Sequence, residues 1–582
     1  MRIAVVIPTY WGRKKKIGFV EGDSVYDHPT PLDAEGTLGR TLESMKKLKN
    51  KSFKLIILVC PTTEEIEKEA EEKAVQVIKE VNLDVETYLF TLETLKKIKE
   101  LISNSDLEEG VLSLLSLGGY ANVRNMCLLA AHIVTSDIAV LIDDDEIVEN
   151  PDYIDIAQEF IGKRVYGETI YAVAGYYLNK YGKYYDDVSM EPWMTYWNRF
   201  GSKSKAFDKI IGCSPRLKHT PFAFGGAMVL HKNLYQIVPF DPNICRGEDI
   251  DYLIDAKMFG FDFFLDNKLS IIHLPPKKSH PIWKGIREDI FRFVYEKTKI
   301  DSQYEVSNMR LVTAKDFFPY PGEFLTDDLE DKIFKTNLLI ALEYLASGDV
   351  EACKESIKNI YLSNYEAIPK KDPFTTYRKI QRDWEKLINF TIKNVKEIRR
   401  IMEEKNLFKV EIALDEEHYA KITIDEKKEI LKNMQEFKNF SEVELDKIVQ
   451  ISSIKAYKKD EMIFKEGEKD SSFYIVMKGC VRIVKYDERN EEIILADICS
   501  GGFLGETAIV NEEHRVNAIA DEFVELLFLD QKSLELLIKE EPKLGNKLLF
   551  MFLEKLYMKL DKTNKILQAN YILGSSSLSD MD

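Results

Sequence analysis

The chain has 582 residues, whereas single hydrophobic cores stop growing at roughly 250–300 residues, so two to four domains are expected. Its 45% hydrophobic and 31% charged content is that of a globular protein, and a net charge of −17 argues against a nucleic-acid or anionic-membrane surface as the main partner. No apolar run reaches the length of a membrane-spanning helix, and MRIAVVIPTY reads as a strand, not a signal peptide, so a cytoplasmic protein is expected. The scattered cysteines 60, 127, 213, 245, 353, 480 and 499 form no CxxC and read as free thiols.

In chain order, IAVVIP (3–8) predicts a strand, GTLGRTLESMKKLK (36–49) a helix and FKLIILVC (53–60) a strand. A helix opened by a threonine cap follows through residue 81, then the strand LDVETYLF (83–90). VRNMCLLAAHIV predicts a helix and DIAVLIDDD a buried strand ending in acids. This alternation implies a mainly parallel sheet covered on both faces, with ligands at the carboxyl ends of its strands. From about 300 to 430 the periodicity is helical, and a helical appendage and connector is expected over 296–430. From about 437 to 530 short strands separated by turn residues predict an antiparallel β-roll, followed by a long helix and a disordered tail at 571–582. The expected boundaries are 1–295, 296–430 and 431–570.

The strand ending Asp143-Asp144-Asp145-Glu146 needs a reason, because clustered carboxylates repel unless a cation sits among them. Oxygen ligands suit Mg²⁺ or Mn²⁺, ions that serve a substrate's phosphates. Arg124 and Asn125 open the preceding helix, where an anion is favoured. The alternative is a solvated strand end.

IPTY, then RN with an alanine six residues on, then IDDDE, FGGAMVLHK, FDPNICRGEDIDYLIDAKMFGF and IIH, in this order over residues 1 to 290, resemble a GT-A glycosyltransferase of the family 2 type. The resemblance implies a Rossmann-like domain that moves a sugar from a nucleotide-sugar donor to an acceptor hydroxyl. It makes Asp143 and Asp145 the two acids of a DxD signature at the metal site, with Asp143 also toward the ribose or sugar and Asp145 holding the metal on the diphosphate. His273 would complete the metal site. Pro8, Thr9 and Tyr10 would line the nucleotide pocket, with Arg124, Asn125, Gly225 and Gly226 also at the donor. Glu248 and Asp249 stand at the family's acid pair. Asp249 would be the base and Glu248 an acceptor anchor, in an inverting displacement. Trp193 or Trp197 would stack on a sugar face or pack in the core. The chain departs from the family after the second strand, where Cys60 and Thr62 stand in VCPTTEE instead of acids, which leaves the donor's base open. The insert WGRKKKIGFVEGDSVYDHPTPLD (11–33) reads as a solvated loop, with a charged acceptor or donor phosphate at its basic cluster Arg13–Lys16 as the alternative.

Near the end, GGFLGETAIVNEEHRVNAIA (501–520) holds Gly505, Glu506 and Arg515. An arginine suits a cyclic phosphate monoanion, a carboxylate suits a ribose 2′-hydroxyl, and a glycine turn offers free N–H groups. With turn glycines 467 and 479, this stretch resembles a cyclic nucleotide-binding domain over about 437–565. Gly505, Glu506, Thr507, Arg515, Val516 and Asn517 would form its cradle, the following helix its lid, and cAMP or cGMP its ligand. His514 replaces the usual proline before the arginine. No helix-turn-helix follows, which argues against a transcription factor. The lid helix could also join two copies. A metal-dependent glycosyltransferase regulated by a cyclic nucleotide is expected, with a non-catalytic transferase-fold scaffold carrying the sensor as the alternative.

Overall fold

The computed structural model describes the chain except residues 27, 106, 108, 166, 186–189, 245, 277–280, 307–308, 409–427, 429–430, 433, 435–436, 458–459, 469–471, 487–491, 500–501, 506–512, 522–523, 530, 552 and 554–582. Two compact units emerge, one of Met1–Glu305 with Met309–Tyr419 and one of Val306–Asn308 with Ala420–Asp582.

The first unit is built on an eleven-stranded sheet among the described residues. Its strands are β1 (Ile3–Gly12), β2 (Thr30–Pro31), β3 (Lys54–Pro61), β4 (Thr87–Phe90), β5 (Ile138–Leu141), β6 (Glu146–Ile147), β9 (Ala172–Leu178), β10 (Leu217–His219), β11 (Met228–His231), β12 (Phe263–His273) and β13 (Asn406–Phe408). A separate small hairpin pairs β7 (Arg164–Val165) with β8 (Glu168–Thr169). The sheet order is β10-β12-β9-β11-β5-β1-β3-β4-β13, with β2 beside β1 and β6 beside β12.

β1 lies parallel between β3 and β5, so Val5 stands beside both Leu55 and Val140. A central parallel strand has no solvent face, which is why IAVVI is apolar at every position. The intervening helices follow the predicted alternation. Leu38–Met45 and Glu67–Val81 cover the sheet, and Asn82 ends the second with φ +49. Thr91 caps the helix Leu92–Ser103 by accepting from the Thr94 N–H. Beyond β5 the sheet turns mixed, because β11 enters antiparallel between β5 and β9. The carboxyl ends of β1, β3 and β5 therefore share one rim, carrying Tyr10, Pro61 and the acids after Leu141.

Three expectations are refined here. The described helices after residue 296 are an appendage of the first unit and not a separate connector. They pack on the sheet domain: the Tyr377 hydroxyl donates to the Pro239 carbonyl at 2.7 Å, Trp384 Nε1 to the Tyr235 carbonyl at 2.9 Å, and β13 pairs antiparallel with β4. Trp193 and Trp197 are 4% and 1% exposed, and Trp197 packs at a tilt against Phe293 and Phe324, so both take the core alternative. The insert 11–33 is anchored along most of its length. Its tip, with Lys14 to Phe19, is exposed, but Arg13 pairs with Asp23, the Ser24 N–H donates to the Thr62 carbonyl at 2.7 Å, and β2 runs parallel to the end of β1.

The second unit has two four-stranded antiparallel sheets. Its strands are β14 (Ser453–Tyr457), β15 (Met462–Phe464), β16 (Phe473–Lys478), β17 (Cys480–Tyr486), β18 (Glu492–Cys499), β19 (Phe503–Leu504), β20 (Asn517–Ala520) and β21 (Val524–Leu529). One sheet runs β14-β21-β16-β19 and the other β15-β20-β17-β18. Gly467 and Gly479 turn the chain with φ +81 and +82, a region that side chains resist. Leu544, Leu548 and Met551, in the helical residues 542–551, pack into this unit's own core. The rest of the expected lid helix, and with it a pairing of two copies, lies outside the described residues.

The expectation of free thiols fails at Cys480. It stands opposite Cys499 in the register of β17 and β18 and is disulfide-bonded. Adjacent antiparallel strands bring facing Cα atoms within disulfide range. Cys60, Cys127, Cys213 and Cys353 are free.

Candidate functional site

At the rim of the first unit, the three aspartates after β5 take three different partners. Asp143 is gripped by Arg124, Nη1 to Oδ1 at 2.7 Å and Nη2 to Oδ2 at 3.0 Å. Asp144 turns inward and accepts from the Thr9 hydroxyl at 2.8 Å. Asp145 faces two imidazoles, with His28 Nε2 at 3.0 Å and His273 Nε2 at 3.4 Å from its Oδ2. The two acids of the expected metal pair thus have different partners, a guanidinium for Asp143 and imidazoles for Asp145.

These partners set the charges. Burial works against ionised Asp145, but hydrogen bonds from His273 and His28 hold its carboxyl well below the usual range. Burial and the nearby charges of Asp145 and Asp143 push Asp144 up to about 7. Glu146 is fully buried, and burial with Asp143 and Asp145 drives it well above an ordinary carboxyl. Its Oε2 accepts from the Asp143 N–H at 3.0 Å, which fixes the turn.

Arg124 was expected to meet the donor's anion. It is 3% exposed and braces the site from within, reaching Asp143 and, at 3.5 Å, Glu248. Asn125 was also expected at the donor. Its amide is spent on the Phe240 backbone instead, donating to the carbonyl at 2.8 Å and accepting from the N–H at 2.7 Å. Gly225 and Gly226 lie close to other groups, as expected, but those groups are protein: a Cβ at Gly225 would overlap the Arg124 guanidinium, and one at Gly226 the Glu146 carboxyl. Pro8 pairs with Leu58 inside the sheet. Tyr10 clusters with Tyr26 and Tyr120 at ring distances of 4.5 and 5.6 Å.

Glu248 and Asp249 open the helix Glu248–Met258, whose N-cap Gly247 has φ +76. A Cβ there would lie 2.6 Å from the Arg292 guanidinium. Glu248 is buried, and burial with the Asp249 charge lifts it to about 7. Asp249 is half-buried, and its Oδ1 accepts from the Ile250 N–H at 2.9 Å. Below the pair, Lys299 Nζ lies 2.8 Å from Asp251 and 3.0 Å from both Asp255 and Asp241, all buried. The three carboxylates could hold a metal by spacing alone. The lysine ammonium stands among them, so this cluster anchors the helix. Sequence reasoning missed it because Lys299 lies far along the chain, and it missed His28 because one histidine in a loop carries no pattern.

In the second unit, Gly505 has φ +79, and a Cβ would overlap the Ser472 carbonyl, so the turn demands glycine. Glu506 and Thr507 lie outside the described residues. Arg515 is exposed and Val516 half-buried. Asn517, expected in the cradle, is turned to the fold: its Oδ1 accepts from the Glu466 N–H at 3.0 Å. His514 is 2% exposed and stacks flat on Phe464 at 3.6 Å. Its carbonyl accepts from the Gly467 N–H at 2.8 Å and its N–H donates to the Glu468 carbonyl at 3.1 Å. A histidine can hold this turn where a proline, lacking the N–H, would lose one bond.

This stretch matches the family model described as "Cyclic nucleotide-binding domain" over residues 454–541. The C-terminal unit carries a cyclic nucleotide-binding domain. Among curated proteins, the cGMP-dependent protein kinase 2 of Mus musculus is 30% identical over 100 residues, 17% of this chain and 13% of the kinase. The cGMP-dependent protein kinase of Plasmodium berghei is 30% identical over 129 residues, 22% of this chain and 14% of that one. The match thus spans about an eighth of these relatives' length. Among solved structures, a cyclic nucleotide-binding domain from Methylobacillus flagellatus is 23% identical with a TM-score of 0.23, covering 25% of this chain and 83% of that one. The regulatory domain of Toxoplasma gondii PKA, solved with cAMP, is 24% identical with a TM-score of 0.19, covering 22% and 48%. Among the described residues, no helix is long and apolar enough to cross a membrane.

Proposed function

We propose that the first unit is a metal-dependent glycosyltransferase of the GT-A type, using a nucleotide-sugar donor, and that a cyclic nucleotide bound to the C-terminal domain regulates it. The observation that carries the reading is the convergence at one strand rim of Asp145 with His273 and, linked to Asp143 through Arg124, the acid pair at the start of a helix. One ionised carboxylate beside imidazole nitrogens fits a divalent cation, Mn²⁺ or Mg²⁺. Asp145 and His273 would hold it, and it would supply the positive charge that balances a leaving diphosphate.

The chain's own residues would do the rest. Asp249 is the more exposed acid of its pair and would take the proton of an acceptor hydroxyl. Glu248, lifted to about 7, would bond an acceptor hydroxyl beside it. Arg124 would keep Asp143 oriented toward the donor. In the sensor, Arg515 is exposed and would meet the cyclic phosphate. Coupling between sites is typically about 1–3 kcal/mol, so the cyclic nucleotide would change transfer by roughly 5- to 150-fold.

The test is a panel of UDP- and GDP-sugars with Mn²⁺, with and without cAMP or cGMP, scored by release of the nucleoside diphosphate. Turnover with one donor that responds to one cyclic nucleotide is expected. No turnover across the panel, with cyclic nucleotide still bound, would favour a transferase-fold scaffold instead.

A further inference from the structure

The helices Leu329–Ala346 and Val350–Tyr365 follow one another across a short turn at Gly348, φ +83, and pack as a hairpin on the first unit. We propose that the outer face of this hairpin joins two copies of the chain in a two-fold dimer. The inference stands whether or not the first unit transfers sugar.

The inner face is fixed to the rest of the unit. Ile333, Ile340 and Ala341 of the first helix and Ala352 and Leu362 of the second are buried. Asn359 Nδ2 donates to Asn337 Oδ1 and to the Trp283 carbonyl, both at 2.9 Å, and Arg287 Nη2 donates to Glu355 at 2.6 Å. The outer face is apolar as well. Phe334, Leu338, Leu342 and Leu345 recur at i, i+4, i+8 and i+11, a single stripe that points away from Ile333 and Ile340. Ile357, Tyr361 and Tyr365 form a matching stripe on the second helix, with the two tyrosine rings stacked at 4.8 Å. All of these side chains are between 39% and 69% exposed. A surface helix normally turns charge outward, whereas one that is apolar on both sides is built to be covered on both.

Size and charge select a second copy as the cover. The first helix has 18 residues, about 27 Å at 1.5 Å per residue, and two helices packed about 9 Å apart present a strip about 20 Å wide. That face is roughly 500 Å² in projection, as large as the apolar patches of about 300–600 Å² that are often functional. With its relief it approaches the about 800 Å² that each partner gives to a standard interface. Most of its exposed charges are already paired within the chain, Asp331 with Lys335 at 2.5 Å and Glu351 with Lys354 at 3.4 Å. Glu330 and Lys358 remain, one of each sign. Such a face has no net charge to draw a nucleic acid or an anionic membrane. A copy of the same face matches it without any further ion pair, because a two-fold axis lays one stripe antiparallel on the other, as in a four-helix bundle.

Interfaces of this size hold at about micromolar or tighter. Sedimentation equilibrium of the full chain from about 0.1 to 100 μM should therefore reach the mass of two chains. Leu338→Glu combined with Leu342→Glu sets like charges against each other across the axis and should weaken association by at least about 100-fold. Both positions are exposed, so urea unfolding of this variant should match the wild type. In the wild type, hydroxyl-radical labelling of Phe334, Tyr361 and Tyr365 should fall as the dimer forms. A chain that stays single at about 100 μM overturns the proposal. So does a dimer that leaves labelling of those three residues unchanged, or one that the folded double variant retains at wild-type strength, since either places the contact elsewhere. The labelling decides the matter even where the variant does not fold.

Discussion

Asp144 stands between two acids proposed to serve substrate chemistry, yet its own carboxyl faces the interior. Thr9 donates to it, and the Thr41 hydroxyl holds its carbonyl at 2.7 Å. Burial, then the charges of Asp145 and Asp143, move it from 3.8 to about 7. The folded chain therefore holds this proton more tightly than the unfolded chain does. Stability from the protonated carboxyl is complete below 3.8, falls as pH rises from there to about 7, and is lost above. Over the whole window the loss is about 4 kcal/mol. Asp144→Asn keeps the shape and an acceptor for Thr9 but cannot ionise. The variant should gain on the wild type by roughly 3 kcal/mol between pH 5 and pH 8. All five tryptophans (11, 193, 197, 283 and 384) lie in the first unit, so fluorescence-monitored urea unfolding with EDTA reports that unit alone. A stability difference that is the same at both pH values would refute the reasoning, because it would mean that Asp144 ionises as freely inside the fold as outside it.

Gly226→Ala should destabilise the first unit by about 1–3 kcal/mol, since the new methyl displaces the Glu146 carboxyl that fixes the Asp143 turn; the same fluorescence assay reads it, and unchanged unfolding would mean Glu146 yields freely. Asp249→Asn should lower transfer by roughly 10²- to 10⁴-fold with little effect on donor affinity, measured by single-turnover kinetics. Parental rates would move the base elsewhere. Arg515→Leu should abolish heat of binding with cAMP and cGMP while basal transfer persists. A variant that still binds would assign the phosphate to other groups.

The alternating strands and helices of residues 3–145 were legible because a parallel strand buried on both faces writes an unbroken apolar run, as β1 and β5 do. The acids at the end of β5 were legible for the opposite reason, since charge at the end of such a run is conspicuous. What each acid touches was not. Asp143 and Asp145 differ by two positions, but a guanidinium takes one and imidazoles the other. Asn125 looked available at the start of its helix, and its partner Phe240 lies 115 residues away. Trp197 could be read as platform or core and is a core residue, because indole serves either use and only the packed neighbours decide. In the sensor, the glycine turn was readable at Gly505, where a single backbone angle excludes other residues, whereas the structural use of Asn517 depended on Glu466 across the roll.

The outer edge of the first sheet is closed late. β4 waits for β13, and the Tyr88 hydroxyl finds Glu403 at 3.0 Å, 315 residues further along. At roughly 5–20 residues per second on the ribosome, β4 stays an open edge for about 15–60 s while the intervening helices emerge. An open, apolar strand is a template for pairing with other nascent chains. TYLF is buried along its whole length once β13 arrives and has no charged side chain to deter a stranger before then. The strand at Asn406–Phe408 thus decides when the N-terminal unit becomes safe from its neighbours, and a fragment ended anywhere before it would carry that exposed edge permanently.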